Sequence, residues 1–312
     1  MLTFNSLWVE KYRPKNIEDF ICNDKIKLFI QTIQTQKNIP NLLFVGTPGI
    51  GKTSLAKIIV NDILKSQYLY INASDENGID TIRSKVTSFA QSKSLYGDIK
   101  VIILDETDGL SIDAQRALRN TMEEYSSITR FILTANYKYR IINALQSRCQ
   151  SFDLTPPVEG AVKRCVHILK NEKIEIPADQ KQHLLSFIKS NYPDLRKTIN
   201  ELQKYSVNQV LSLDISDSDQ TLQLLFNEIK SKNVTTLRKA LIENESAFNN
   251  DYVSLLRGLF NYVDKNENDI NVKKQYLLTI SEYLYRSSFV IDQEINCYTC
   301  LIALSELKLA LG

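Results

Sequence analysis

Glycine is scarce in this chain, with nine in 312 residues where about 7% is usual. Few positions can hold left-handed turns, so most of the chain should be regular structure, mainly helix. Histidine is scarcer still. His167 and His183 lie far from Cys297-Tyr298-Thr299-Cys300 in sequence, and that Cys-x-x-Cys pair would need two more ligands to hold zinc. The pair sits in an apolar helical run with Leu301, Ile302 and Leu304, which reads as ordinary helix cysteines. Five cysteines without a dense framework suggest a reducing compartment. No apolar run is long enough to cross a membrane, and the opening residues carry no signal-peptide pattern. The expectation is a soluble intracellular protein with no membrane partner. Charge of one sign is lacking as well. A formal net charge of +2 neither suggests nor excludes nucleic acid, so any such surface must be local or assembled from several copies.

What is present is a hydrophobic fraction of 43%, enough for real cores, in a length that suits two or three domains. Three of the nine glycines fall in Gly46-Thr47-Pro48-Gly49-Ile50-Gly51-Lys52-Thr53. This is the P-loop spacing of Gly, four residues, Gly, Lys and Ser/Thr. Leu42 to Val45 before it reads as a buried parallel strand, and Ser54 to Leu64 after it has helical periodicity. Strand, glycine loop and helix is the arrangement phosphate binding needs. Glycines let backbone N–H groups approach phosphate oxygens, and the helix N-terminus adds partial positive charge. Lys52 can reach the β- and γ-phosphates, and the Thr53 hydroxyl can ligate Mg²⁺.

Val101-Ile102-Ile103-Leu104-Asp105-Glu106 is the second strong signal. Four apolar residues ending in two carboxylates read as a central parallel strand whose C-terminal edge faces a ligand. With a P-loop upstream, Asp105 is the expected Mg²⁺ partner and Glu106 is placed to polarise an attacking water. Further strands are expected at Tyr68 to Asn72, Arg130 to Ala135 and Gln150 to Leu154, with Asn136 at a strand tip on the ligand edge. Helices are expected at Asp24 to Gln36, Ile79 to Gln91 (Ile82, Val86 and Phe89 inward) and Asp113 to Tyr125. Arg116 and Arg119 share a face of the last, which is either a functional or a simply solvated basic face. Trp8 to Pro14 combines aromatics, cations and proline, suited to packing on a base or to covering a domain edge. Thr155-Pro156-Pro157 marks a boundary. Beyond it come amphipathic helices at Val158 to Glu172 and Asp179 to Ser190, and a third opened by Asn191 to Asp194. Arg196 lies in the first turn of that third helix, where the dipole disfavours a cation. A polar, acidic stretch at Ser212 to Ser218 suggests a second boundary, and Gln220 to Leu311 is helical.

These residues closely resemble the ATPase subunits of DNA sliding-clamp loaders in the AAA+ group, namely replication factor C small subunits and the ATPase subunit of T-even-like phage loaders. Trp8 to Pro14 matches the Trp-Val-Glu-Lys-Tyr-Arg-Pro box. Asn72 to Asp75 with Gly78-Ile79, Ala114 to Arg119, and Ser147-Arg148-Cys149 match further boxes. Tyr192 to Ile199 looks more like the phage form. The resemblance implies an α/β P-loop NTPase core with a parallel sheet at 1–155, a small helical lid at 156–215 and an all-α collar that holds an oligomer at 216–312. It implies ATP and Mg²⁺ as ligands, and places Gly46, Thr47, Pro48, Gly49, Ile50, Gly51, Lys52, Thr53 and Ser54 around the nucleotide, with Tyr12 and Arg13 bordering the base. Asn136 would be sensor 1, Arg196 sensor 2, and Arg148 an arginine finger reaching a neighbour's ATP. Arg83, Arg116 and Arg119 would lie near DNA, although Arg119 would equally suit a subunit interface. The implied partners are other subunits in a ring-like pentamer, a sliding clamp and primer–template DNA, in the nucleus of a eukaryote or in the cytoplasm at phage or viral replication sites. Departures are Thr47, Ile50, Asn77 (often Arg) and Thr107 (for Ala of Asp-Glu-Ala-Asp). The alternatives are a non-hydrolysing structural subunit of the same assembly, or another AAA+ machine acting on DNA.

Overall fold

Five parallel strands form the central sheet of the computed structural model: β1 (Leu42–Val45), β2 (Tyr68–Asn72), β3 (Lys100–Asp105), β4 (Thr129–Ala135) and β5 (Gln150–Asp153). The structure describes residues 7–75, 79–92, 99–213, 215–248 and 250–307. Glu76, Asn77 and Gly78 of the expected turn, and the side chain of Ile82, lie outside the described residues. The chain divides into two compact units, Met1–Leu213 and Asp214–Gly312.

In the first unit the strand order is β2-β3-β4-β1-β5. β1 and β3 therefore flank β4, and the three C-terminal ends lie side by side at the crevice where such sheets bind ligands. The helices of this unit are α1 (Trp8–Lys11), α2 (Asp24–Gln36), α3 (Lys52–Ile58), α4 (Ile79–Gln91), α5 (Ile112–Glu124), α6 (Asn143–Gln146), α7 (Val158–Asn171), α8 (Gln180–Asn191) and α9 (Leu195–Lys204). Alternate residues of each strand point to opposite faces. Leu42, Phe44, Val101, Ile103 and Ile132 pack with Ile26, Ile30, Leu55 and Ile59 of α2 and the P-loop helix. Leu43, Ile102, Leu104, Phe131 and Leu133 pack on the other face with Val86 and Leu118 of α4 and α5. With both faces covered, β1 and the middles of β3 and β4 read as unbroken apolar runs.

The helix expected from Ser54 to Leu64 begins at Lys52, and its second half, Ile59–Leu64, winds as π-helix. Residues 206–211, after α9, hold a feature the periodicity did not signal. β6 (Ser206–Val207) and β7 (Val210–Leu211) form an antiparallel hairpin. Its turn residues Asn208 and Gln209 both have positive φ, 52° and 63°, a turn usually marked by glycine. The N-terminal box is built into this unit. Trp8 is buried, and its backbone N–H donates to Gln203 Oε1 of α9 at 2.8 Å. Lys11 Nζ and the Tyr12 hydroxyl both donate to Glu172 Oε1 at 2.6 Å.

The second unit is α10 (Ile215–Ser231), α11 (Val234–Glu243), α12 (Tyr252–Asn266), α13 (Ile270–Arg286) and α14 (Gln293–Glu306), around Leu225, Leu237, Leu256, Leu259, Ile280 and Leu301. Cys297 and Cys300 belong to this core and are fully buried free thiols. Burial pushes the Cys297 thiol up to about 12. Among the described residues no group of three or more histidine, cysteine or carboxylate side chains could hold a metal ion, and no helix is long and apolar enough to cross a membrane.

Candidate nucleotide site

The P-loop joins the end of β1 to α3. Gly49 and Gly51 have φ of 80° and 97°, in the region glycine alone enters freely. A Cβ on Gly51 would stand 2.9 Å from the Phe20 ring, and one on Gly49 would stand 1.8 Å from Asp194 Oδ1. Helices α2, α5 and α9 satisfy first-turn N–H groups with the side chains of Asn23, Ser111 and Asp194. α3 starts at Gly51 with no side-chain cap, which leaves its N–H groups to an anion.

Lys52 is only 7% exposed. Its ammonium donates to the carbonyls of Gly46 and Thr47, at 2.7 and 2.9 Å, and to Asn136 Oδ1 at 2.8 Å. Burial lowers its pKa to about 8, against the opposing pull of Asp105 and Asp108 and with further lowering by the Arg196 charge.

Asp105 ends β3 and is 8% exposed. Thr53 Oγ1 lies 2.8 Å from each of its carboxylate oxygens. Thr134 Oγ1 donates to Oδ1 at 2.6 Å, and the Tyr70 hydroxyl donates to Oδ2 at 2.8 Å. Burial and then that bond to Asp105 push the Tyr70 phenol upward. A carboxylate beside a hydroxyl is the oxygen donor set that a hard cation takes, so Thr53 and Asp105 fit Mg²⁺. Glu106 follows with φ of 55°, a left-handed backbone uncommon outside glycine. Its N–H donates to Thr134 Oγ1 at 3.0 Å, and its carboxylate accepts from Ser74 Oγ at 2.6 Å. One Thr134 hydroxyl thus ties both acidic residues to β4. Asp108 Oδ2 accepts from the N–H groups of Asn136 and Tyr137, each at 3.1 Å.

Arg13, Pro48, Gly49, Gly51, Lys52, Thr53, Ser54, Asp105, Glu106, Asn136 and Arg196 line one cavity, together with Thr134. Arg196 enters from α9, more than forty residues past the sheet in sequence. An adjoining cavity brings Tyr12, Arg13, Phe20, Ile50, Arg164 and Ile199 against the same loop. Arg13 Nε donates to Ser54 Oγ at 3.3 Å. The Tyr12 hydroxyl is engaged with Glu172, and burial followed by that bond raises its pKa to about 12.

The other candidates lie outside this lining. Arg148 pairs with Glu123 of α5 and donates to the Ala144 carbonyl at 2.8 Å. Arg83 is exposed on α4. Arg116 pairs with Asp113 at 3.1 Å, and Arg119 Nη2 donates to Asn120 Oδ1 at 2.6 Å. Sequence reading missed Tyr70, Ser74, Asp108 and Thr134. Only Asp108 carried a cue, as the last residue of Asp105-Glu106-Thr107-Asp108.

Residues 42–156 match the sequence model of the AAA family, ATPases associated with various cellular activities. Residues 158–215 match that of the sliding-clamp-loader large subunit, AAA+ ATPase lid domain. A replication factor C small subunit of Saccharolobus solfataricus is 45% identical over 219 residues, covering 67% of this chain and 64% of that protein. Its counterpart in Methanococcus vannielii is 43% identical over 203 residues, 63% of each chain. That of Archaeoglobus fulgidus is 41% identical over 215 residues, 67% of this chain and 66% of that one. The matches therefore span just under two thirds of these relatives' length. A RuvB variant of Thermotoga maritima has a TM-score of 0.54 at 15% identity, covering 94% of this chain and 90% of its own, a likeness of fold alone. Residues 42–156 are thus an AAA-family core and residues 158–215 a clamp-loader lid, in a chain that resembles replication factor C small subunits.

Proposed function

We propose that this chain is an ATP-hydrolysing subunit of a sliding-clamp loader. It would work with other subunits in a ring-like pentamer, to open a clamp and place it on primer–template DNA during replication. The observation that supports this best is a complete hydrolytic set in one cavity, Lys52, Thr53, Asp105, Glu106 and Asn136, directly followed by a clamp-loader lid that supplies Arg196. The P-loop amides and Lys52 hold the triphosphate. Tyr12 and Arg13 border the base side. Thr53 and Asp105 would hold Mg²⁺, which would supply positive charge against the triphosphate. Glu106 orients and deprotonates the attacking water once its carboxylate leaves Ser74. Asn136 and Arg196 contact the γ-phosphate side, and Arg148 serves the neighbouring subunit's ATP. Arg83, Arg116 and Arg119 are the proposed DNA cations, and residues 216–312 the collar. A non-hydrolysing structural subunit would not need this set.

Glu106→Gln keeps the Mg²⁺ partner Asp105 and removes the base. ATP affinity should stay near normal while turnover falls roughly 10²-fold or more. ATP should still promote capture of the clamp from the same replication system by the assembled loader. Lost affinity with unchanged turnover would overturn the role of Glu106. Clamp capture that ignores nucleotide would overturn the loader reading.

A further inference from the structure

Between Asn136 and α6 the chain runs Tyr137-Lys138-Tyr139-Arg140, and all four side chains are exposed, Tyr139 to 77% and Tyr137 to 47%. The two rings lie 5.6 Å apart between centroids at 46°. The Arg140 guanidinium sits 5.1 Å from the Tyr137 ring centre. Among the described residues neither cation has an ion-pair partner and neither phenol a hydrogen-bond partner.

The backbone beneath these side chains is held from three elements. Asp108 accepts from Asn136 N and Tyr137 N. Gln115 of α5, 1% exposed, donates to the Arg140 carbonyl and accepts from Ile142 N, both at 2.9 Å. Gln146 of α6 donates to the Lys138 carbonyl at 3.2 Å. Ile141, 2% exposed, anchors the far end. The turn is therefore a fixed support, and a ligand landing on it would lose little affinity to ordering the backbone.

We propose that the Tyr137–Arg140 turn is a platform for unpaired nucleotides of a DNA strand. Tyr137 and Tyr139 stack on bases, and Lys138 and Arg140 neutralise phosphates. Cations without carboxylate partners call for an anionic ligand. Aromatic rings alternating with them call for one whose anionic groups alternate with flat, stackable faces, which is a nucleic acid strand with its bases free. A duplex buries those faces in its own stack, and an acidic peptide offers the rings nothing comparable. The choice of DNA rests on the loader reading; the stacking role rests on the turn itself.

The test uses the assembled loader with full-length chains. Binding is measured to a fluorescent oligo-thymidine strand and to a blunt duplex of equal length. Tyr137→Ala/Tyr139→Ala should weaken single-strand binding about 10-fold or more, as loss of base–aromatic stacking does, and change duplex binding less than about twofold. Tyr137→Phe/Tyr139→Phe, which keeps the rings, should restore it. Lys138→Gln/Arg140→Gln should flatten the salt dependence of single-strand binding. ATP affinity, as a check on folding, should be unchanged in all. Equal single-strand binding by wild type and the double Ala variant would overturn the inference and leave the loader reading standing. So would equal losses on both DNAs, or a loss confined to clamp capture, which would make the turn a protein-docking surface. A wild-type assembly that binds neither DNA would overturn both.

Discussion

Lys52 is a charged group held almost out of water, and its surroundings make that charge depend on pH. Burial lowers its pKa to about 8, so the free site loses the ammonium as pH rises through that value. A triphosphate beside it favours the charged form and draws the pKa back up. Binding must then take up a proton at and above about pH 8. By linkage, nucleotide affinity should fall as pH rises above about 8, by at most roughly tenfold per pH unit. Calorimetric titrations in buffers of different ionisation heat measure the uptake directly. Binding that is flat with pH and releases no buffer heat would show that Lys52 keeps its proton in the free site. The lysine was legible in the sequence because the P-loop spacing names it. Its partners were not, because the Gly46 and Thr47 carbonyls and Asn136 meet it only through loop closure and strand order.

At the scale of elements, the sheet sets the site. β4 lies between β1 and β3, so its last residues stand between the phosphate loop and the acidic pair. Apolar runs revealed the strands, but no run states its neighbours, and hence Thr134 read as one more strand residue. Its hydroxyl donates to Asp105 and accepts from the Glu106 N–H, at a backbone held in left-handed geometry. Thr134→Val preserves shape, leaves that N–H without a partner and removes one of the two hydroxyls on Asp105 Oδ1, Thr53 keeping the other. The expected cost is about 1–3 kcal/mol of stability, read from the denaturation midpoint. Turnover should fall more than ATP affinity, because both carboxylates lose their alignment. Unchanged stability and turnover would reduce Thr134 to filler between the strands. The hairpin at Ser206 to Leu211 escaped sequence reading for a related reason. Its two-residue strands are too short to show alternation, and Asn208-Gln209 lacks the glycine that signals such turns.

For the whole molecule, the decisive placement is that of Arg148. A guanidinium stabilises γ-phosphate charge only when fixed beside it, and here it is held by Glu123 and the Ala144 carbonyl, outside the lining of the chain's own cavity. An isolated subunit should bind ATP and hydrolyse it slowly. Arg148→Ala should keep ATP affinity and slow hydrolysis in assemblies by roughly 10³-fold. Mixing Lys52→Ala and Arg148→Ala subunits creates some interfaces with both residues intact, so ATPase activity above that of either variant alone is the expected result. No recovery in well-formed mixed oligomers, or a monomer whose full activity needs Arg148, would contradict action across the interface. The sequence by itself determined the five strands of the central sheet, the longer helices, and the positions of the P-loop and the acid pair, because those depend on local periodicity and fixed spacing. Only the tertiary structure decided what surrounds them. The phenol and threonine on Asp105, the serine on Glu106, Arg196 at the P-loop and the Tyr137–Arg140 turn held open to solvent are contacts between residues far apart in the chain. Strand order and packing bring them together, and no local pattern encodes either.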